Sequence, residues 1–389
     1  MRKKICVITG SRAEYGLLYP LLKKIKDSGD FILQLLVTGS HFLREFGLTY
    51  REIESDGFKI SERIEMLLSS DTKAGITKSL GIGLISFSDC LSRLKPDMVV
   101  VLGDRFEIFA ASQAVFIAGI PLAHIHGGEL TEGAIDDAFR HSITKMSLLH
   151  FTSTEEYRRR VIQLGELPAR VFNTGALAID NIKNLNLLKK DELQKELGLD
   201  FGAKTLLVTF HPATLEENTS GPQFKELLKA LDNFKDLKVI FTKPNADIGA
   251  KIICSLIDDY VGKNSRRAVS FTSLGRIRYL STIKYVNAVV GNSSSGIIEA
   301  PALKKPTVNI GDRQKGRVKP DSVIDCPPMA KDIRKAISRA LSVEFKRSCK
   351  AVNCPYGDGH AAEKIYRVIK KTIGKSNDFK KSFYDLRFR

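Results

Sequence analysis

Short apolar runs rich in β-branched residues alternate along the chain with longer stretches in which apolar residues recur every three or four positions. The first pattern is that of parallel strands buried on both faces, and the second that of the amphipathic helices that cross over between them. In the first half the strand-like runs cover residues 4–9, 33–38, 98–102, 122–126 and 149–152, with helical spacing over 16–26, 75–94, 107–118 and 136–147. A charged stretch, NLLKKDELQKELG, interrupts the alternation, which resumes with strand-like runs at 205–210, 238–242, 268–271, 288–291 and 307–310. The pattern predicts two successive doubly wound α/β domains, residues 1–182 and 183–360, followed by a segment 361–389 that opens with helical spacing. A chain of 389 residues is longer than one hydrophobic core usually organises, in keeping with that division.

In an open parallel sheet, ligands bind beyond the carboxyl ends of the strands. Seven runs here exit into polar turns, most of them carrying glycine: Thr9 into GSRAEYG, Leu102 into GDRFE, His126 into GGE, Phe210 into HP, Thr242 into KPNAD, Val290 into GNSSSG and Ile310 into GDRQKGR. Their joint placement predicts a ligand cleft between two domains. GNSSSGIIE, residues 291–299, follows a strand and opens a helix, so Asn292, Ser293, Ser294, Ser295 and Gly296 direct N–H groups and hydroxyls at the helix start, where a phosphate is the natural guest. Glu299, about one turn further, is placed to accept both hydroxyls of a ribose. A serine that merely caps the helix is the plainer alternative. The stretch matches neither the GK[ST] phosphate loop nor the dinucleotide GxGxxG. Arg12 and Arg313 bring planar forks suited to phosphate oxygens in two other turns, and Lys243 and Asn245 of KPNAD complete the candidate nucleotide-binding set.

Acid and base candidates gather in the first domain: Asp104, His124, His126, Glu129, Asp136 and Asp137, with His211 contributed by the second. Carboxylates and imidazoles this close shift one another's pKa values, so that one can act as acid and another as base near neutral pH. Structural alternatives stand beside these roles. Asp136 or Asp137 would serve as a helix cap, His124 as a hydrogen-bonded core residue, and Asp104 as a partner for Arg105.

The formal net charge of +17 raises a nucleic-acid function. Residues 331–389, however, hold 16 basic and 6 acidic side chains, so +10 of that charge belongs to the C-terminal segment, and no nucleic-acid module accompanies it. A solvated helix face ending in an aromatic anchor, KKSFYDLRFR, accounts for the excess without a nucleic-acid partner. The six cysteines lack paired spacing and read as reduced thiols; Cys349, Cys354 and His360 want a fourth ligand, so neither metal nor cofactor is expected. No apolar run approaches about 18 residues, and the opening run 5–8 is too short for an export signal. A cytoplasmic protein without a membrane partner is the expectation.

The motifs TGSRAEYG, VLGDRFEIFA, HIHGGELTEGAIDDAFRHSITKMS, TSTEEYRRRVIQLGE, FHPATLEEN, PNADIG, GNSSSGIIEAP and NIGDRQKGR run nearly end to end. In this order they resemble the bacterial UDP-N-acetylglucosamine 2-epimerases, specifically the hydrolysing branch that feeds sialic and legionaminic acid synthesis. The resemblance implies two facing Rossmann-like domains as in GT-B enzymes, a C-terminal helix crossing back to the first domain, a nucleotide-sugar substrate, and a homo-oligomer, dimer or tetramer. It also implies a reaction, UDP-N-acetylglucosamine to N-acetylmannosamine plus UDP, by elimination to 2-acetamidoglucal and addition of water. On that reading Asp104 and the Asp136/Asp137 pair are acid–base groups and His211 lies near the diphosphate. GNSSSG with Glu299 then receives diphosphate and ribose, and Arg12 and Arg313 neutralise the leaving phosphate. The wider family often has glutamate where this chain has His126, so either His126 or Glu129 carries the second proton. A branch that takes GDP-N-acetylglucosamine resembles the chain equally well. A GT-B glycosyltransferase using the same donor is the more distant alternative.

Overall fold

The computed structural model describes residues 2–68, 70, 72–132, 134–212, 219–244, 249–374 and 380–386. The chain divides into two compact units, one of Met1–Glu129, Asp136–Lys183 and Tyr356–Arg389, the other of Leu130–Ile135 and Asn184–Pro355.

The first unit is built on seven strands: β1 (Lys3–Thr9), β2 (Phe31–Thr38), β3 (Glu62–Ile64), β4 (Met98–Leu102), β5 (Leu122–Ile125), β6 (Leu149–Thr152) and β7 (Val171–Asn173). All pair in parallel, in the order β3-β2-β1-β4-β5-β6-β7. The second unit has six: β8 (Lys204–Thr209), β9 (Leu237–Thr242), β10 (Ala268–Phe271), β11 (Ala288–Gly291), β12 (Thr307–Ile310) and β13 (Val323–Cys326), again all parallel, in the order β10-β9-β8-β11-β12-β13. Each sheet winds outward in both directions from its first strand, as in a Rossmann fold, which leaves one crevice per sheet where the order reverses. In the first unit it lies at the ends of β1 and β4; in the second, at the ends of β8 and β11.

The parallel α/β expectation holds for both halves. Three strands escaped the sequence pattern, β3, β7 and β13, and all three are sheet edges of only three or four residues. In β3 only Ile64 of Glu62, Arg63 and Ile64 is buried, so no apolar run marks it. The run 122–126 ends one residue early, because His126 leaves the extended region.

Alternate faces of the central strands fill the cores. Val7, Val100, Ile125 and Phe151 pack with Leu18, Leu21, Leu22 and Ile25 of the helix Arg12–Ser28 in the first unit, and Val208, Phe241 and Val290 pack with Phe224 and Ile253 in the second. The C-terminal helix Ala361–Thr372 belongs to the first core, as the sequence resemblance implied. Its Ile365 and Ile369 are fully buried there, each worth about 1.5–3 kcal/mol of removed apolar surface. Asp180 starts that helix by accepting the N–H groups of Ala361 (3.0 Å) and Ala362 (2.9 Å), and Asp30 receives Tyr366 and Lys370 from its far end. Among the described residues no helix is long and apolar enough to cross a membrane, and all six cysteines are free thiols.

Candidate active site

At the end of β4, Gly103 (φ 83°) turns the chain and sets Asp104 and Arg105 at the crevice. At the end of β5, His126 adopts φ 68°, in the left-handed region where a side chain meets its own backbone. Such a residue costs about 1–3 kcal/mol and persists only where its surroundings hold it. Here the His126 N–H donates to the Phe151 carbonyl at 2.8 Å, and Arg140 Nη1 donates to the His126 carbonyl at 2.8 Å. The strained turn brings the His126 ring Nδ1 to 3.2 Å from Glu129 Oε1, which also accepts the Ser153 hydroxyl at 2.8 Å.

Arg140 comes from the helix Asp136–Met146 and is the centre of the cluster. Its Nη2 grips Asp104 Oδ2, and its Nη1 stands 3.6 Å from Glu129 Oε2. Arg140 and Glu129 are each 2 % exposed and His126 5 %, with Asp104 half-buried beside them, so a carboxylate, an imidazole and a guanidinium share a site with little water. In such surroundings a charge is tolerable only while paired, and removing one member leaves another stranded. Asp136 and Asp137 sit in the first turn of the same helix, half-buried, with Asp137 3.6 Å from His141. Burial pushes the His141 imidazole down, partly opposed by Asp137.

His124 takes the structural alternative. Its Nε2 meets the Gly103 carbonyl at 2.8 Å and its Nδ1 the Thr144 hydroxyl at 3.1 Å, and burial drives it to about 3, so it is a neutral strut beneath the Gly103 turn. Arg12 opens the helix after β1, where its positive charge adds to the burial that takes His41 to about 3.

In the second unit, Gly291 at the end of β11 has φ 137°, and a Cβ there would run into the Thr209 carbonyl of β8; only glycine permits this approach. Asn292 then bridges the crevice. Its Oδ1 accepts the His211 N–H at 2.7 Å and its Nδ2 donates to the His211 carbonyl at 2.8 Å, fixing the exits of β8 and β11 together. The Asn292 carbonyl in turn accepts Gln314 Nε2 (2.8 Å) and Arg313 Nη1 (3.2 Å), which fastens the β12 exit to the same turn. Ser294 stands at the start of the helix Ser295–Ala302 but its side chain makes no capping bond, so the plain capping reading does not describe it. Tyr279 donates to the Ser295 hydroxyl at 2.7 Å. Glu299 lies one turn on; burial raises its carboxyl, partly offset by a hydrogen bond with Ser295. Lys243 is bound by Asp258 at 2.7 Å. Asn245 lies outside the described residues.

The structure thus gathers Asp104, His126 and Glu129 in one unit, and His211, Asn292 and Arg313 in the other. Arg140, Ser153 and Gln314 escaped the sequence reading. Arg140 carried a usable signal, since it lies four residues after Asp136, hence on the same helix face. Ser153 and Gln314 carried none, because their roles depend on which strand neighbours which.

Two Rossmann-like sheets, each with its polar residues at the switch point, define an α/β protein of the GT-B class. A crystal structure of a Neisseria meningitidis UDP-GlcNAc 2-epimerase bound to UDP-GlcNAc has this fold, with TM-score 0.79 and 18% identity over 95% of this chain and 100% of that one. The profile of the UDP-N-acetylglucosamine 2-epimerase family matches residues 23–370. A Campylobacter jejuni GDP/UDP-N,N'-diacetylbacillosamine 2-epimerase (hydrolyzing) is 44% identical over 99% of this chain and 100% of its own length. The Escherichia coli polysialic acid biosynthesis protein P7 is 42% identical over 99% of this chain and 98% of its own. The chain belongs to the UDP-N-acetylglucosamine 2-epimerase family, and the activity that goes with this membership is that of a hydrolysing nucleotide-sugar 2-epimerase.

Proposed function

We propose that the protein converts UDP-N-acetylglucosamine to N-acetylmannosamine and UDP, for synthesis of a sialic-type acid. The supporting observation is the group formed by half-buried Asp104 with buried Glu129 and His126 around Arg140. The proton on C2 of the sugar has no neighbouring carbonyl to stabilise a carbanion, so direct abstraction is difficult. Elimination is easier. A base takes the C2 proton as the C1–O bond breaks, a C1–C2 double bond forms, and the nucleoside diphosphate leaves with the electron pair. Water then adds through its oxygen to C1, giving a proton to a base, while an acid delivers a proton to the other face of C2. Two faces need two carriers, and we assign them among Asp104, the His126/Glu129 pair and the Asp136/Asp137 pair. Arg140 holds the carboxylates in place. The second unit's Arg313, His211 and serine turn hold the departing diphosphate, with Glu299 on the ribose.

A second reading has a specific support, the 44% identical relative whose substrate is a GDP- or UDP-linked diacetylbacillosamine. That sugar shares the 2-acetamido centre and differs at C4 and C6, so the proton chemistry is the same. Proton NMR in deuterated water with UDP-N-acetylglucosamine, its GDP counterpart and the UDP and GDP diacetylbacillosamines, without acceptor, tests both. Free 2-acetamidomannose-type sugar deuterated at C2 is the expected product, and the fastest donor names the substrate. Retention of the C2 proton with every donor would overturn the epimerase reading in favour of sugar transfer.

A further inference from the structure

Beside the Arg140 cluster the first unit buries a second set of charges. Glu107 (0 % exposed) and Glu14 (6 %) lie in the first turns of two helices, Phe106–Ile117 and Arg12–Ser28, with Arg105 next to them. Arg105 holds Glu107 with two edges of its fork, Nε to Oε2 and Nη2 to Oε1, each at 3.2 Å. Glu14 stands outside that grip. Its Oε2 accepts the Gly10 N–H at 2.7 Å, while its buried Oε1 has no hydrogen-bond partner among the described residues and lies 3.9 Å from Arg105 Nε. A glutamate at this helix position normally closes a capping box in contact with water. This one is enclosed by charged groups: Glu107 and Arg105, and Asp104 in the turn before them. From the 3-10 turn Gly39–Phe42, His41 adds no charge, because burial keeps it neutral. Two buried carboxylates beside one guanidinium cannot both ionise cheaply. Burial first and Glu107 second push the Glu14 carboxyl up to about 8.

We propose that Glu14 is a positioning residue that works as the neutral acid, holding the turn before Arg12 without drawing Arg105 away from Glu107, and so fixing the turn that aims Asp104 at Arg140. When Glu14 loses its proton, its charge competes for Arg105, the Gly103–Arg105 turn shifts, and Asp104 moves relative to Arg140. The rate arm of the test rests on the epimerase reading; the stability arm does not.

The test is Glu14→Gln, which keeps an acceptor for Gly10 and mimics the neutral acid. A carboxyl whose folded pKa lies above its unfolded value binds its proton more tightly in the native state, so wild-type stability falls as pH rises through that window. Denaturant unfolding at closely spaced pH values should show wild type losing about tenfold in folded-to-unfolded ratio, relative to Glu14→Gln, per pH unit between roughly 4.5 and 8, then levelling. In turnover, the wild-type kcat should decline above about pH 8, and in Glu14→Gln that decline should begin at least about one pH unit higher. A stability difference that does not vary with pH overturns the neutral-acid assignment, whatever the substrate. A pH-dependent stability difference with superimposable rate profiles overturns the positioning role. Wild type that turns over no nucleotide sugar tells against the proposed function, and the stability arm still decides the state of Glu14.

Discussion

At the exits of β4 and β5 the first unit sets buried Glu129 and His126 and half-buried Asp104 around Arg140. At the exits of β8 and β11 the second presents Asn292, a run of serines and half-buried Glu299, knitted mainly through backbone carbonyls and N–H groups. The strand order is the same over six strands, the first sheet adding a seventh at its edge, so the contrast is one of side chains on a common scaffold. Groups that exchange protons need low water content and neighbours that tune their acidity, which the first unit supplies by burial and a shared arginine. Groups that hold an anion need fixed donors, which a glycine-shaped turn and a helix start supply through backbone N–H groups. On the proposed function, catalysis and binding fall to separate units, a division that mutations can break.

The largest effect is expected at Arg140. Arg140→Ala should lower kcat by about 10³-fold and cost about 3–5 kcal/mol of stability, because Asp104 and Glu129 lose their shared partner. Turnover and thermal melting measure the two; a change confined to KM would undo the division of labour.

Acid should separate the units next. His124 and His41 are held near 3 against an ordinary 6.5, so the unfolded state binds more protons and the stability they carry is lost as pH falls below about 6.5 toward 3. Both belong to the first unit, and hydrogen exchange followed by mass spectrometry at pH 7 and pH 4.5 should show its peptides losing protection before those of the second.

A smaller effect should follow Gly291→Ala, which forces a Cβ onto the Thr209 carbonyl at a φ that strains any other residue. A loss of at least about 1–3 kcal/mol in the second unit, read by denaturant unfolding, is expected. The smallest is expected at Glu299. Glu299→Gln should raise KM about tenfold, about 1.4 kcal/mol, with kcat nearly intact. A fall in kcat without a change in KM would move Glu299 into the proton chemistry.

Much of this scaffold was legible in the chain. Ten of the strands announce themselves, nine of them because a parallel strand covered on both faces must be a continuous apolar run and the edge strand β10 because Ala268, Val269 and Phe271 keep it apolar, and the turns after them because a chain leaving such a strand needs glycine and polar residues. The edge strands β3, β7 and β13 did not, since a short, partly exposed strand needs no such run. The candidate residues were legible as types, yet their partners were not. Nothing in the spacing says that Glu129 meets Ser153, that Asn292 ties down His211, or that Glu14 faces Glu107.

The sequence by itself therefore determined the alternation of strands and helices, the doubly wound class and the chemical inventory at each strand end, because these depend on residues within a few positions of one another. Only the tertiary structure decided which carboxylate shares which arginine, that His126 is held in a left-handed turn and that His124 is a neutral strut. Those facts depend on sheet order, which brings residues 36 positions apart, such as Asp104 and Arg140, into one low-dielectric site where pairing governs charge.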